Sequence, residues 1–591
     1  MNSKKIKRVF KRRYSKSLIQ FEQLSDQTSD NFEKNFIKRL SRLEGVGRFT
    51  SVWILGIVVL IFLVILQTLN LSNYFQTLRP VPGGNFDEGI LGSFTNANPI
   101  YAETNVDHAV SSLVFAGLLK YDSKNQLVGD LASGYTVDSS GLNYTFVLRP
   151  NLTWQDGKPL SSADVAYTIN LIKNPNAGSP LFASWKGINI TTPNKLTVVF
   201  TLPNPLSSFA NSLTTGILPS HLLSNVNPEI MRTINFNTIS AVGAGPFSLT
   251  AVKVKGNTPG TQQEIIKLTS FSNYWQGKPK LDSFIIQAYA SQNNMIDGFR
   301  RGNIEAMSGL TTVPSGLSKS SIIYSYPLTA AEMVFFKTTA APLSDVNVRQ
   351  ALVLATDQKA IVKSLNYKTV EVDEPLLVGQ LAYDKKYAQA SFNPVKASEL
   401  LTTNGWIIGS DGYRHKNGVA LTISLTASNS KDTTISALLL KKQWQAVGAK
   451  VNLHLLSDSD LQYALSYHNY SSILYGISIG VDPDVYAYWN STQADPRSPF
   501  RLNLSEYSSP SADNSLEQGR TRLDPNLRTI KYQPFLQAFQ KDAPAIGLYQ
   551  PRYLYISNLH IFGLDSDEIN TATDRYSNVV NWEIRQDKFT N

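Results

Sequence analysis

The sequence predicts an α/β protein of several lobes, carried behind one N-terminal transmembrane helix. Three observations predict this. At 591 residues the chain exceeds what one hydrophobic core can organise, and ordinary domain sizes give roughly three or four compact units. One uncharged apolar run, Val52 to Leu66, lies near the start. Behind it, period-two alternation and helical spacing follow one another, the mixture that builds α/β lobes. The composition is globular, with 42% hydrophobic and 17% charged residues, and no repeat of about twenty to fifty residues marks a solenoid or propeller.

The first element is a basic tail. Residues 1–48 carry 13 Lys and Arg against 5 Asp and Glu, whereas the rest of the chain is nearly balanced at 42 against 40. A stretch such as "KKIKRVFKRRYSK" has the charge to meet nucleic acid phosphates. The segment behind it points instead to a membrane. "FTSVWILGIVVLIFLVILQTLNL" extends to about 20 uncharged residues with no polar face, enough to cross a hydrocarbon layer of about 30 Å. Lys and Arg crowd its N-terminal side, so the positive-inside rule keeps the tail cytoplasmic and sends the remainder outward. A 48-residue leader is far longer than a signal-peptide n-region, and "LQTLNLSNYF" has no small-x-small cleavage site, so an uncleaved anchor over 49–70 is expected. The chain has no cysteine, which excludes disulfides, thiolate metal sites, Cys nucleophiles and a lipidated N-terminal Cys. Within the tail, "FEKNFIKRLSRL" can place Phe32, Phe36, Leu40 and Leu43 on one side of a helix lying on lipid, or remain a solvated tail.

Residues 71–84, with "RPVPGG", read as a linker. Next, Tyr144, Phe146 and Leu148 alternate as a strand, Asp156-Gly157 turns the chain, and Ser161, Ser162 and Asp164 mark a helix start. Further on, Val348, Leu352, Ala355 and Ile361 have helical spacing behind a cap at Ser344 or Asp345. "ISALLLKKQWQAVGAKVNLHLL" reads as a helix, a stop at Gly448 and a strand carrying Val451, Leu453 and Leu455.

"SIGVDPDVYAYWN" sets Asp482 and Asp484 around Pro483 and follows them with Tyr486, Tyr488 and Trp489. Such residues suit a turn or helix cap with core aromatics, a charged lip of a cleft, or an acid/base pair. The overlapping "GISIG" matches G-x-S-x-G, but any helix here is expected to begin at Pro483 rather than at Ser478, and only His560 follows to complete a triad. The six histidines, 108, 221, 415, 454, 468 and 560, form no close pair, and "DPD" lacks the later ligands of a calcium loop. No catalytic residue, metal site or cofactor is therefore assigned.

Several blocks stand together in a familiar order: "NPIYAETNVDHAVSSLVFAGLLKYD", "LVGDLASGYTV", "LRPNLTWQDGKPLSSADVAYT", "GILPSHLL", "GAGPFSL" and "DVNVRQALVLATDQKAI". In this the chain resembles the peptide/nickel class of ABC-transporter substrate-binding proteins, family 5, from about residue 85 to 555. The resemblance implies a bilobed, periplasmic-binding-protein-like receptor with an extra subdomain. By block order, lobe one takes 85–330 and 545–591, with the extra subdomain at about 121–240, and lobe two takes 331–544. It also implies that Glu103, Thr104 and Asn105, after Asn98-Pro99, present backbone groups to an extended peptide, since an edge strand binds any sequence. Relatives carry a Gly-Trp pair, an Asp for the peptide amine and an acidic-Pro pair. Here Gly476 and Asp482-Pro483 remain, but Ile477 replaces the Trp, and Ile479 or Gly480 replaces the Asp. Asp482 or Asp484 is left to supply the charge, with Tyr486 and Trp489 covering apolar ligand surface.

The function this implies is non-enzymatic: a single-pass cell-membrane receptor whose extracellular domain captures peptides and hands them to ABC permease subunits, with lipid contact through the N-terminal helix and no nucleic acid partner. The alternatives are a surface sensor or adhesion module on the same fold, or a receptor for another small solute such as a metal chelate or sugar.

Overall fold

The computed structural model describes residues 47–74, 76–256, 263–498 and 501–590. Most of the basic tail, including Phe32, Phe36, Leu40 and Leu43, lies outside the described residues. Two compact units are present, one reaching to Arg79 and resuming at Gln586, the other spanning Pro80–Arg585.

The first unit contains the apolar helix, Gly47–Tyr74, of 28 residues. At about 1.5 Å per residue this gives roughly 42 Å. Thr50–Thr68 has mean hydropathy 2.6, and its large apolar side chains are exposed, so length and composition both permit a membrane crossing. The expected linker holds a strand instead: Gln76–Val81 pairs with Arg585–Thr590 as a two-stranded sheet.

The larger unit is α/β and two-lobed. A seven-stranded sheet runs, in spatial order, Ile322–Pro327, Arg552–Ser557, Ala306–Leu310, Asn85–Leu91, Ser283–Tyr289, Gln263–Ser270, Phe247–Lys255. Asn85–Leu91 sits near its middle, parallel to both neighbours, and is buried by helices that return the chain to the sheet. A five-stranded sheet follows, ordered Lys450–Leu456, Thr422–Ser428, Ser472–Ser478, Ala330–Phe336, Ala545–Tyr549. One hydrophobic cluster covers each of its faces: Val334 and Phe336 join one, Met333 and Phe335 the other, as the two-residue period of a strand requires. A four-stranded antiparallel sheet, Ala132–Val137, Asn143–Leu148, Thr197–Thr201, Asn189–Asn194, packs into the core of the first lobe.

Local readings of the sequence meet the structure in particular places. Tyr144, Phe146 and Leu148 are the buried residues of Asn143–Leu148. Ser161 caps Ser162–Ile172 through a capping box with Asp164. The span from Val348 to Ile361 is two helices, not one: Val346–Leu354, capped by Asp345, and Gln358–Ser364, capped by Asp357, whose side chain accepts from the Ala360 N–H. A second cap inside a periodic run ends the first helix.

The chain passes from the seven-stranded to the five-stranded sheet at Leu328–Thr329 and returns at Gln550–Pro551. The two passages lie side by side, with the Leu328 N–H donating to the Pro551 carbonyl at 2.9 Å.

Candidate functional site

Buried side chains tie these two passages together. Gln550 is 3% exposed and donates through Nε2 to the Leu328 carbonyl at 3.0 Å and to Glu568 at 2.8 Å. Thr329, 2% exposed, donates through Oγ1 to Asn570 Oδ1 at 2.6 Å. Asn570 in turn donates to Asn125 on the hairpin that follows Tyr121. A buried amide and hydroxyl survive away from water only when paired, so this network fixes how the crossing strands enter each sheet.

The stretch from Gly476 to Asp484 starts at the same place. The Ile479 and Gly480 N–H groups both donate to the Thr329 carbonyl at 2.9 Å, and Gln380 donates to the Gly480 carbonyl at 2.7 Å. Gly480 has φ +78, a backbone that side chains rarely adopt. Ile477 and Ile479 are buried in the lobe-two core with Trp489, so the positions for which the resemblance implies a cleft-facing Trp and Asp are core positions here.

Neither aspartate begins a helix. The short helix here is Tyr486–Trp489, and Pro483 precedes it; the expectation of a start at Pro483 is corrected, because Asp482 Oδ1 accepts from the Asp484 N–H at 3.0 Å and turns the chain instead. Asp482 accepts both Arg528 terminal nitrogens, at 2.6 and 2.9 Å. Arg528 is 6% exposed, and this two-pronged bond satisfies its charge. Asp484 accepts from Arg520 at 3.1 Å and, across the gap to the first lobe, from Ser208 at 2.9 Å; its other oxygen, Oδ1, is buried with no partner. Arg520 also lies 4.2 Å over the ring of Tyr486. Trp489 is fully buried, stacked on Phe335 at 5.5 Å and edge-on to Phe539 at 4.8 Å, so it belongs to the core and covers no cleft.

Lobe one's wall holds a cavity of about 370 Å³, lined among others by Pro99, Ala102, His108, Ser111, Tyr121, Thr215 and Asn570. That is within the size range of small-molecule sites. Asp482 is close enough to be felt there: burial first, then the charges of Asp574 and Asp482, push the Tyr121 hydroxyl up. Glu103, Thr104 and Asn105 border this region but do not form a free edge strand. Thr104 caps the helix Asn105–Val114, its side chain accepting from the Asp107 N–H, and the Thr104 and Glu103 N–H groups donate to Asp107 at 3.2 and 3.4 Å. Glu103 turns outward to Arg232 at 2.6 Å. Asp107, fully buried, also accepts from the Thr95 N–H and hydroxyl and the Asn96 N–H. The signal was in the sequence: T-x-x-D over 104–107 is a capping-box pattern. Arg520, Arg528, Ser208, Thr329 and Gln550 escaped the sequence reading, since no local pattern marks them. Among the described residues no group of three His, Asp or Glu side chains is placed to hold a metal.

The family model for bacterial extracellular solute-binding proteins, family 5 (Middle), matches residues 126–498. The chain belongs to this family. The family-5 chain is 24% identical over 493 residues to the oligopeptide-binding protein AppA of Bacillus subtilis, covering 80% of this chain and 87% of AppA. It is 24% identical over 505 residues to the glutathione-binding protein GsiB of Salmonella paratyphi A, covering 82% and 92%. Among solved structures, CtaP of Listeria monocytogenes superposes with TM-score 0.72 at 23% identity, covering 85% of this chain and 99% of that one. NikZ of Campylobacter jejuni, in complex with Ni(L-His), gives 0.69 at 24%, covering 84% and 99%. These likenesses establish the two-lobed fold.

Proposed function

We propose that this family-5 chain is a non-enzymatic, membrane-tethered receptor that captures peptides outside the cell and passes them to an ABC importer. The observation that carries it is the paired crossing at Leu328–Thr329 and Gln550–Pro551, beside a cavity whose lining includes Asn570, itself bonded to Thr329. Two adjacent strands that join two rigid sheets bend together, so lobes that close about them bury a ligand from both sides. Peptide is the favoured cargo because AppA, whose length this chain largely covers, is named for oligopeptide binding. The cavity lining mixes the hydroxyls of Ser111, Tyr121 and Thr215 with Lys120, Asp130 and Asp574, groups that suit both the backbone and the charged ends of a peptide. In this reading lobe one takes 85–328 and 551–585 and lobe two 329–550, which moves the expected boundaries at 330 and 545 because Ala330–Phe336 and Ala545–Tyr549 are neighbouring strands of the five-stranded sheet.

Neither aspartate lines the cavity, and of the two Asp484 has the less engaged carboxylate. Both oxygens of Asp482 are engaged by Arg528, whereas Asp484 keeps a buried oxygen free. Tyr486 holds Arg520 in place, and Trp489 supports that segment from the core. On the other lobe Ala102 and His108 replace Glu103, Thr104 and Asn105 as the residues nearest the ligand. The helix Gly47–Tyr74 spans the membrane with the basic tail inside, uncleaved. Mass spectrometry of ligand released from the purified protein tests the reading: short peptides support it, and a sugar or metal chelate overturns the peptide assignment.

A further inference from the structure

One seam between the lobes lies apart from the cavity. On lobe one, the eight-residue 3-10 helix Ser207–Thr214 presents Ser208 Oγ to Asp484 Oδ2 at 2.9 Å and Ser207 Oγ to the Arg520 carbonyl at 3.0 Å. Beside it, Leu523 reaches over the turn at Gly141, its Cδ1 3.4 Å from where a Cβ would stand. On lobe two, Asp484 and Arg520 are held by each other and by Tyr486, while Arg528 bonds Asp482 and, at 3.3 Å through Nε, the Gly519 carbonyl. Ser207, Ser208, Asp484, Arg520 and Leu523 do not line the cavity.

We propose that this seam is a latch that favours closure of the lobes before any ligand arrives. The proposal rests on the hinged reading above and adds a named contact that works without ligand. Of the cluster's hydrogen bonds, opening breaks those of Ser207 and Ser208, while the bonds of Arg520 and Arg528 to the two aspartates stay within lobe two. A hydroxyl donating to a carboxylate is stronger than one donating to a neutral carbonyl, so Ser208 is the larger contributor. Asp484 Oδ1 and Arg520 Nε stay buried without partners in the closed state, and their lost hydration keeps the latch weak enough to release.

The chain has no cysteine, so Lys195→Cys and Lys442→Cys, both at exposed positions on opposite lobes, give a unique dye pair for single-molecule energy transfer. The measurement uses the full-length protein in detergent, stripped of ligand. Ser208→Ala is expected to raise the ratio of open to closed molecules about tenfold, with the melting temperature unchanged. Ser208→Asp, which faces Asp484 with a like charge, opens it further. If Ser208→Ala leaves the ratio as in the parent while Ser208→Asp opens the lobes, the hinge stands and the latch is overturned. If neither variant moves the lobes, the hinged reading falls with it.

Discussion

Asp482 holds Arg528 through both of its carboxylate oxygens, whereas Asp484 meets Arg520 and Ser208 through one. Asp482→Asn leaves Arg528, at 6% exposure, with a neutral partner, and loss of one member of a buried pair predicts destabilisation of about 2–4 kcal/mol, read by calorimetric unfolding. Asp484→Asn instead leaves Ser208 with a neutral acceptor and is expected to raise the ratio of open to closed molecules in the same energy-transfer measurement, and an unchanged ratio removes Asp484 from the latch. Two glutamates make a separate forecast. Burial pushes Glu374, 1% exposed, up to about 8, opposed by the Asp384 N–H and reinforced by the charges of Asp373 and Asp384; burial and then Asp432 push Glu332 up to about 7. Both carboxyls hold protons in the folded state that the unfolded chain, at about 4.3, has already released. Their contribution is therefore full below the unfolded value and is lost as pH rises through the folded values. Thermal midpoints are expected to fall between pH 5 and pH 8, and Glu374→Gln flattens that slope; a midpoint rising over the same interval contradicts the assignment. The acidic-Pro turn was legible in the sequence, but its partners were not. Arg528 and Arg520 are 46 and 36 positions away from the aspartates they bond, and Ser208 is 276 away, separations that carry no local periodicity.

At the scale of elements, legibility followed the reach of the forces involved. The apolar helix was readable because its signal is composition alone, and the structure extends the expected 49–70 only to Gly47–Tyr74. Val59→Arg places a charge near the middle of Thr50–Thr68 and predicts an insertion penalty of about 2.5–3.5 kcal/mol. Carbonate extraction of membranes is expected to release part of the variant and none of the parent. Sequencing the mature N-terminus completes the check, since a start near residues 75–85 means the helix was removed. The first turn of Asn105–Val114 was misread because two local rules compete there. A segment after Asn-Pro can run extended, yet Thr104 and Asp107 also spell a capping box, and Asp107 wins by accepting from five donors of the surrounding backbone and side chains. Its Oδ atoms tie Thr95 and Asn96 to this helix, so Asp107→Ala is expected to destabilise the protein by about 2–3 kcal/mol in denaturant titration.

For the whole molecule, the α/β class and two lobes were within reach of the sequence, whereas strand order was not. Asn85–Leu91 lies between strands that begin near residues 283 and 306, and Arg552–Ser557 returns from the far end of the chain to sit between two others. Such neighbours are chosen by tertiary packing, which one sequence does not display. That order matters for function, because it places the outgoing and returning passages next to each other. A pair of adjacent strands resists shear but bends as one, so the expected motion is rotation about Leu328–Thr329 and Gln550–Pro551. Small-angle scattering of the chain from Pro80 onward is expected to show a smaller radius of gyration with saturating ligand than without. A compact body of about 500 residues has a radius near 23 Å, so an opened pair of lobes should exceed that figure and a closed pair approach it. The latch sets the size of the change: if Ser208 and Leu523 already favour closure, the parent shifts little on binding while Ser208→Ala shifts more. Identical curves for that variant with and without bound ligand would show that the lobes do not close on their cargo, and the two crossings would then be only connections.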